Sequence, residues 1–351
     1  MNIASVRILR LACATSLCMF VSQVFNWQMS FVAPIFTLVI LALPLPAMKL
    51  ADGIKFVLAF VVALNAGLLF LPFVVHYMAA GLLLIACALF LSFYYSANGG
   101  SPIVGSFATI GIALVTAIGS VSIDSVLGLI SGLTTGVIVG VLFVWVGHAM
   151  LPDSIAQQDE SAAPAQKPPA AKPDPAAARK SAFRSLLIVM PVLIWFLMSS
   201  ASASYAPVMI KVASMGQQAS IDRTRQAAHS LLMSTIIGGV AAIIGWQIMS
   251  VMPSLVLYIL LIALAALIMG PRIFQGPAMH PAGATWSYAF LTMIVILAPA
   301  LLDGQTGNSA DVAFWSRLSM FLFASLYGVV AVFVYDALTA APDADKVPDS
   351  I

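Results

Sequence analysis

The residues of this chain that could do chemistry are cations set inside apolar sequence. Lys211 stands within the apolar run 205–221, four residues beyond Pro207. It lies about six residues, or about 9 Å of helix, past the outer end of that run. Placing a lysine at the centre of a membrane helix costs about 2.5–3.5 kcal/mol on an insertion scale, so such residues pair or face water. A cation beside a helix-breaking proline suits an anionic ligand. Snorkelling outward, or pairing with a distant Asp, is the competing reading of Lys211. Arg317 follows Asp311 by one to two helical turns. It either pairs with Asp311 or Asp303 near the outer surface or holds an anion at the outward exit. Arg225 and His229 are four residues apart and share a helix face near the inner surface. They either receive an anion from inside or anchor the end of their helix.

Other chemistry is sparse. No H-E-x-x-H, no G-x-S-x-G, no paired-aspartate prenyl-diphosphate motif and no G-x-x-x-x-G-K-[ST] occurs in the chain. An enzyme is therefore not expected, nor is ATP hydrolysis by that loop, a cofactor or a metal. Cys13, Cys18 and Cys87 sit within apolar runs, which argues against an exported disulfide framework. His76, His148 and His280 fall near span ends and read as interface residues. Asn65, Gln217, Gln218 and Gln247 can line a polar path or bond neighbouring helices. No acidic residue sits at mid-membrane to bind a proton. The 17 Met and 20 Phe would make a cavity hospitable to aromatic rings, although most must face lipid or fill the interior.

Long apolar stretches position these residues. Of 351 residues, 62% are hydrophobic and 8% charged. Soluble proteins carry about 45–50% apolar and about 25% charged residues, so a soluble enzyme is excluded. With 15 Lys+Arg against 13 Asp+Glu there is no basic surface for nucleic acid. The expected class is an all-α polytopic membrane protein. Spans of about 20 residues fall near 8–25, 30–47, 55–73, 76–96, 102–121 and 125–150, then 184–203, 205–221, 227–251, 254–271, 283–302 and 313–337. The apolar run behind Arg7 and Arg10 lacks a cleavage site and reads as the first span, retained. With twelve crossings, Arg7, Arg10, Lys49, Lys55, the five basic residues of 167–184, Arg223, Arg225, Arg272 and Lys346 share one face. The positive-inside rule makes that face cytoplasmic, with both termini on it.

The chain divides into a six-helix repeat over 1–151, a Pro/Ala-rich cytoplasmic linker over 152–181, a second six-helix repeat over 182–338 and a short cytoplasmic tail over 339–351. The proline-rich linker is extended and has no core of its own. Phe31-Val-Ala-Pro34-Ile-Phe36 recurs approximately as Tyr205-Ala-Pro207-Val-Met209, and the same offset of 173 aligns Arg7 with Lys180. Ser101-Pro102 and His280-Pro281 occupy matching places, as do Asp124 and Asp311. Six crossings per half is an even number, so the repeats must be parallel. Pro34, Pro44 and Pro46 interrupt the second span of one half, and Pro207 that of the other. Paired broken segments point to a transport site at the repeat interface; harmless kinks are the alternative. Gly128, Gly132, Gly136 and Gly140 form a stripe that lets a neighbouring helix approach closely, or that slides during transport.

A basic residue before the first span, the Ser30-Phe-Val-Ala-Pro34 start of the second, Ser199-Ser-Ala-Ser-Ala-Ser-Tyr-Ala-Pro207 and Trp286-Ser-Tyr-Ala-Phe290 together resemble the fusaric acid resistance (FUSC) family. The chain looks like a compact bacterial branch of it, without the sizeable cytoplasmic domains of the larger aromatic acid exporters. The resemblance implies a bacterial inner-membrane efflux protein, driven by the proton gradient. It also implies export of aromatic carboxylic acids with a periplasmic membrane fusion protein as partner. It supplies no ligand residues. Lys211, Pro34, Pro207, Arg225, His229 and Arg317 come from the intramembrane polar pattern alone, with a small organic anion as the expected ligand. A passive anion channel and a non-transporting scaffold joined through the glycine stripe are the other readings. A homo-oligomer is compatible with the glycine seams.

Overall fold

A computed structural model of the protein describes residues 2–27, 29–120, 122–153, 174–198, 225–305 and 310–339. These residues are almost entirely helical. In order they form α1 (Ile3–Phe25), α2 (Val32–Leu41), α3 (Leu50–Leu68), α4 (Leu71–His76), α5 (Met78–Ala97), α6 (Pro102–Gly119) and α7 (Ile123–Met150). There follow α8 (Pro175–Met198), α9 (Arg225–Val251), α10 (Leu255–Ile273), α11 (Gly283–Gln305) and α12 (Ala310–Thr339). Among the described residues ten helical segments are long and apolar enough to cross a membrane, with α3 and α4 counted together as Leu50–His76. In hydrocarbon a backbone must satisfy its own hydrogen bonds, and helices this apolar do so. Large side chains such as Leu58, Leu69, Leu83 and Val251 are mostly exposed on the outside of the bundle, as lipid-facing residues would be. The protein is thus an all-α, multi-pass membrane protein.

The apolar windows of α6 and α11 are each 67% buried, the highest among these segments, so these two helices lie at the centre. Each packs most broadly against one neighbour, α3 on α6 and α9 on α11. Small residues allow the close approach. Gly67 lies against the Gly111 carbonyl across α3 and α6, and Gly238 against the Ala289 carbonyl across α9 and α11. Two further broad contacts run between the early and late parts of the chain, α1 on α10 and α8 on α5.

The second expected span takes an unexpected form. α2 has ten residues, about 15 Å of helix, and Ala42 to Lys49 continue without helix past Pro44 and Pro46. Its position along α7 is set by small residues: Gly136 lies against Val32, Gly140 against Phe36 and Gly147 near Leu41. α2 therefore runs parallel to α7. Trp145 Nε1 then donates to the Met48 carbonyl at 2.9 Å, fixing the end of this irregular stretch beside the end of α7. Helix and irregular stretch together carry the chain from the far end of α1 back to the level of its start.

Two boundaries also differ from expectation. α8 begins at Pro175, inside the stretch read as linker, because Asp174 caps it: its carboxylate accepts from the Ala176 and Ala177 amides. Proline in the first turn loses no helical hydrogen bond, so it starts the helix here. Between α10 and α11 the chain makes a small hairpin, β1 (Phe274–Gln275) and β2 (Ala278–Met279), with Phe274 opposite Met279. Gly276 takes the left-handed conformation, φ 59°, that its turn requires.

Candidate functional site

At one end of the bundle the start of α1, the end of α7 and the hairpin converge. Arg10 donates through Nε to the Leu151 carbonyl at 2.9 Å and through Nη2 to Asp153 Oδ1 at 2.6 Å. Arg7, one turn earlier, donates through Nη1 to the Pro277 carbonyl at 2.6 Å, reaching across to the hairpin. Both arginines are buried. His148, near the end of α7, has its Nδ1 2.9 Å from the Val144 carbonyl, which places the proton on that nitrogen. Arg272, in the last turn of α10, lies 4.6 Å from the centre of the Trp286 ring, a cation–π distance. Lys49 and Lys55 enter at the same level, since Met48 bonds Trp145 and Gly53 packs on Val141 and Trp145. Five of the basic residues expected on one face are therefore on one end of the molecule.

The residues expected to hold a ligand are only partly within the described structure. Lys211 and Pro207 lie outside the described residues. Arg225 is the first residue of α9 and His229 lies one turn on; their side chains are likewise not among those described. Pro34 is buried in the first turn of α2, seven residues before that helix ends at Leu41. Arg317 is buried in α12, 4% exposed, seven residues from the start of that helix. It is remote in the fold from the Arg7–Arg10 end. The path from that end leads along all of α11 before α12 begins. Of the glycine stripe, Gly136 and Gly140 meet α2, and a Cβ at either would stand 2.5–2.6 Å from Val32 or Phe36 side-chain atoms. Gly132 is buried and Gly128 half-buried.

A groove of about 710 Å³ lies between α8 and α12. Its walls include Pro191, Trp195 and Phe196 from α8, and Met320, Phe323 and Tyr327 from α12. Trp195 and Phe323 remain 52% and 62% exposed, so the groove opens along the side of the bundle. Arg317 precedes Met320 by three residues and thus lies one turn beyond the groove on an adjoining helix face. The volume is that of a site for a small organic molecule. The wealth of Met and aromatic residues is plain in the sequence, but nothing in it brings these six together. They stand on two helices more than a hundred positions apart.

Architecture and composition define a class, a polytopic helical membrane protein. Within that class, a family model described as a protein of unknown function (DUF2955) matches residues 7–146, from the second turn of α1 to near the end of α7. No curated protein and no solved structure matches the chain.

Proposed function

We propose that this protein is an efflux transporter of the bacterial inner membrane that exports small aromatic carboxylic acids or related toxic compounds. The observation that carries the reading is the groove between α8 and α12. Aromatic rings and a methionine line it, and Arg317 stands one turn away. Stacking and edge-on contacts hold a ring, and a guanidinium balances a carboxylate. A groove open to the side admits an amphipathic acid directly from the bilayer. Lys211, beside Pro207, and the pair Arg225 and His229 are the further cations assigned to the substrate's path.

The transport architecture is a pair of parallel six-helix repeats with twelve crossings. The packing supports this duplication. α3 on α6 is matched by α9 on α11, and α1 on α10 by α8 on α5, as two copies related by a two-fold axis would pack. The broken second span, α2 with residues 42–49, belongs to the first copy. The face carrying Arg7, Arg10, Lys49, Lys55 and Arg272 is the cytoplasmic one, and both termini lie on it. The likeness of Ser30 to Pro34 and of Trp286 to Phe290 to the fusaric acid resistance family supports proton-driven export together with a periplasmic membrane fusion protein.

The test is direct. Cells producing the protein and preloaded with labelled benzoate should lose it faster than cells without it. Substitution of Trp195 and Phe323 by alanine should slow that loss. Equal loss from both kinds of cell, across a panel of aromatic acids, would remove the assignment. A passive anion channel would export the same acids without regard to the proton gradient, so indifference to a protonophore separates it from a coupled exporter.

A further inference from the structure

The end of the bundle where α1 starts carries more positive charge than its described carboxylates balance. Arg7 and Arg10 face one another's field there, with His148 within range of both, and Asp153 is the carboxylate that acts on all three. Asp153 is committed to Arg10.

The two arginines differ in how their donors are used. Arg10 turns the edge of its guanidinium formed by Nε and Nη2 onto the Leu151 carbonyl, and Nη2 also reaches Asp153. Arg7 uses its other terminal nitrogen, Nη1, for the Pro277 carbonyl. Its Nε is buried and finds no acceptor among the described residues, although the whole side chain is nine-tenths buried. Nη2 likewise meets no acceptor among the described residues, so the Nε–Nη2 edge of Arg7 is the one they leave unengaged. Two parallel N–H donors on one edge match the spacing of two oxygens on a single phosphate. A buried charged donor without an acceptor is costly enough that an occupant of opposite charge is expected.

The position narrows the occupant. Arg7 joins α1, in the first half, to the hairpin that links α10 and α11 in the second. Basic pockets between membrane helices, at the level where headgroups lie, bind acidic headgroups. We propose that the Nε–Nη2 edge of Arg7 is a phosphate-binding site at the junction of the two halves. The phosphate belongs either to an acidic phospholipid headgroup or to free phosphate. This assignment requires only that the chain is a membrane protein; it does not depend on the efflux reading.

The site can be tested with the full-length protein in nanodiscs of phosphatidylcholine alone or with added phosphatidylglycerol. Unfolding temperature is followed while inorganic phosphate replaces chloride at constant ionic strength. The expected result is saturable stabilisation by phosphate in phosphatidylcholine, by phosphatidylglycerol, or by both. Stabilisation by phosphate alone identifies a soluble ligand, and stabilisation by phosphatidylglycerol alone identifies a headgroup site. Arg7→Lys keeps the charge and removes the two-donor edge, and should weaken the midpoint about tenfold. Arg7→Gln should abolish the effect, and Lys55→Gln, at an exposed lysine on the same end, should leave it intact. If Arg7→Gln does not fold, Arg7→Lys decides. No stabilisation in any disc, or wild-type behaviour of Arg7→Lys, or equal loss in Lys55→Gln, would overturn the proposal.

Discussion

Arg10 on the first helix meets Asp153 just beyond the seventh, Nη2 to Oδ1 at 2.6 Å, across 143 positions of sequence. The arginine side chain is 4% exposed and the carboxylate 34%, so this is a pair at the edge of water, not one sealed in the core. It ties the start of α1 to the residues just beyond the end of α7.

Removing the arginine leaves both Asp153 and the Leu151 carbonyl without their donor. Breaking a fully buried pair costs about 3–5 kcal/mol, and the exposed carboxylate reduces this. We expect Arg10→Ala to lower stability by about 1–2 kcal/mol. Asp153→Asn should cost less, because Arg10 retains Leu151. Thermal unfolding of the purified variants checks both the loss and the order.

Two adjacent glycines should respond in opposite ways. A Cβ on Gly238 meets the Ala289 carbonyl and Thr292, which belong to the backbone and side chain of the central helix α11. Among the described residues, a Cβ on Gly239 meets only Leu318 Cδ1 at 3.1 Å, the far end of a flexible side chain. Gly238→Ala should destabilise by about 1–3 kcal/mol through overpacking. Gly239→Ala should be neutral or stabilising by about 0.5 kcal/mol, since alanine is the better helix former. Equal unfolding temperatures for the two variants would contradict the α9–α11 packing.

The proposed orientation, with the Arg7–Arg272 end cytoplasmic, makes a labelling prediction. With Cys13, Cys18 and Cys87 replaced, a single cysteine at Gln275 in the hairpin should react with an impermeant maleimide only after cells are opened. One at Met252, at the other end of α10, should react in cells whose outer membrane alone is permeable. The reverse pattern would place the Arg7–Arg272 end outside.

For the groove, Trp195→Ala with Phe323→Ala should raise the KM for benzoate efflux several-fold, because each ring removes stacking worth about 0.5–1.5 kcal/mol. Arg317→Gln should raise it for the acid but not for an uncharged benzamide. Transport kinetics in whole cells separate the two effects, and a variant that loses both substrates equally would speak against a charge-specific role for Arg317.

The apolar character of the chain, most helix positions and the interruption of the second span were legible in sequence, because hydropathy and prolines act locally. Pro34, Pro44 and Pro46 announced a break, but not that α2 would stop at Leu41 and leave the rest without helix. Asp174 and Pro175 looked like linker residues, since a capping carboxylate is recognisable only once the helix behind it is placed. Arg7 and Arg10 could be counted as charges on one face. Their partners Pro277 and Asp153 are set by tertiary packing and leave no periodic signal. The groove was hidden for the same reason: Trp195 and Phe323 read as ordinary apolar positions on separate helices. Lys211 and Pro207, which the sequence singled out most strongly, lie outside the described residues.

The most direct test of the account is benzoate transport by the purified protein in proteoliposomes carrying an imposed proton gradient, before and after a protonophore. We predict movement against the benzoate gradient that collapses when the protonophore is added. Benzoate flux that only follows its own gradient and ignores the protonophore would contradict a coupled exporter and identify a channel.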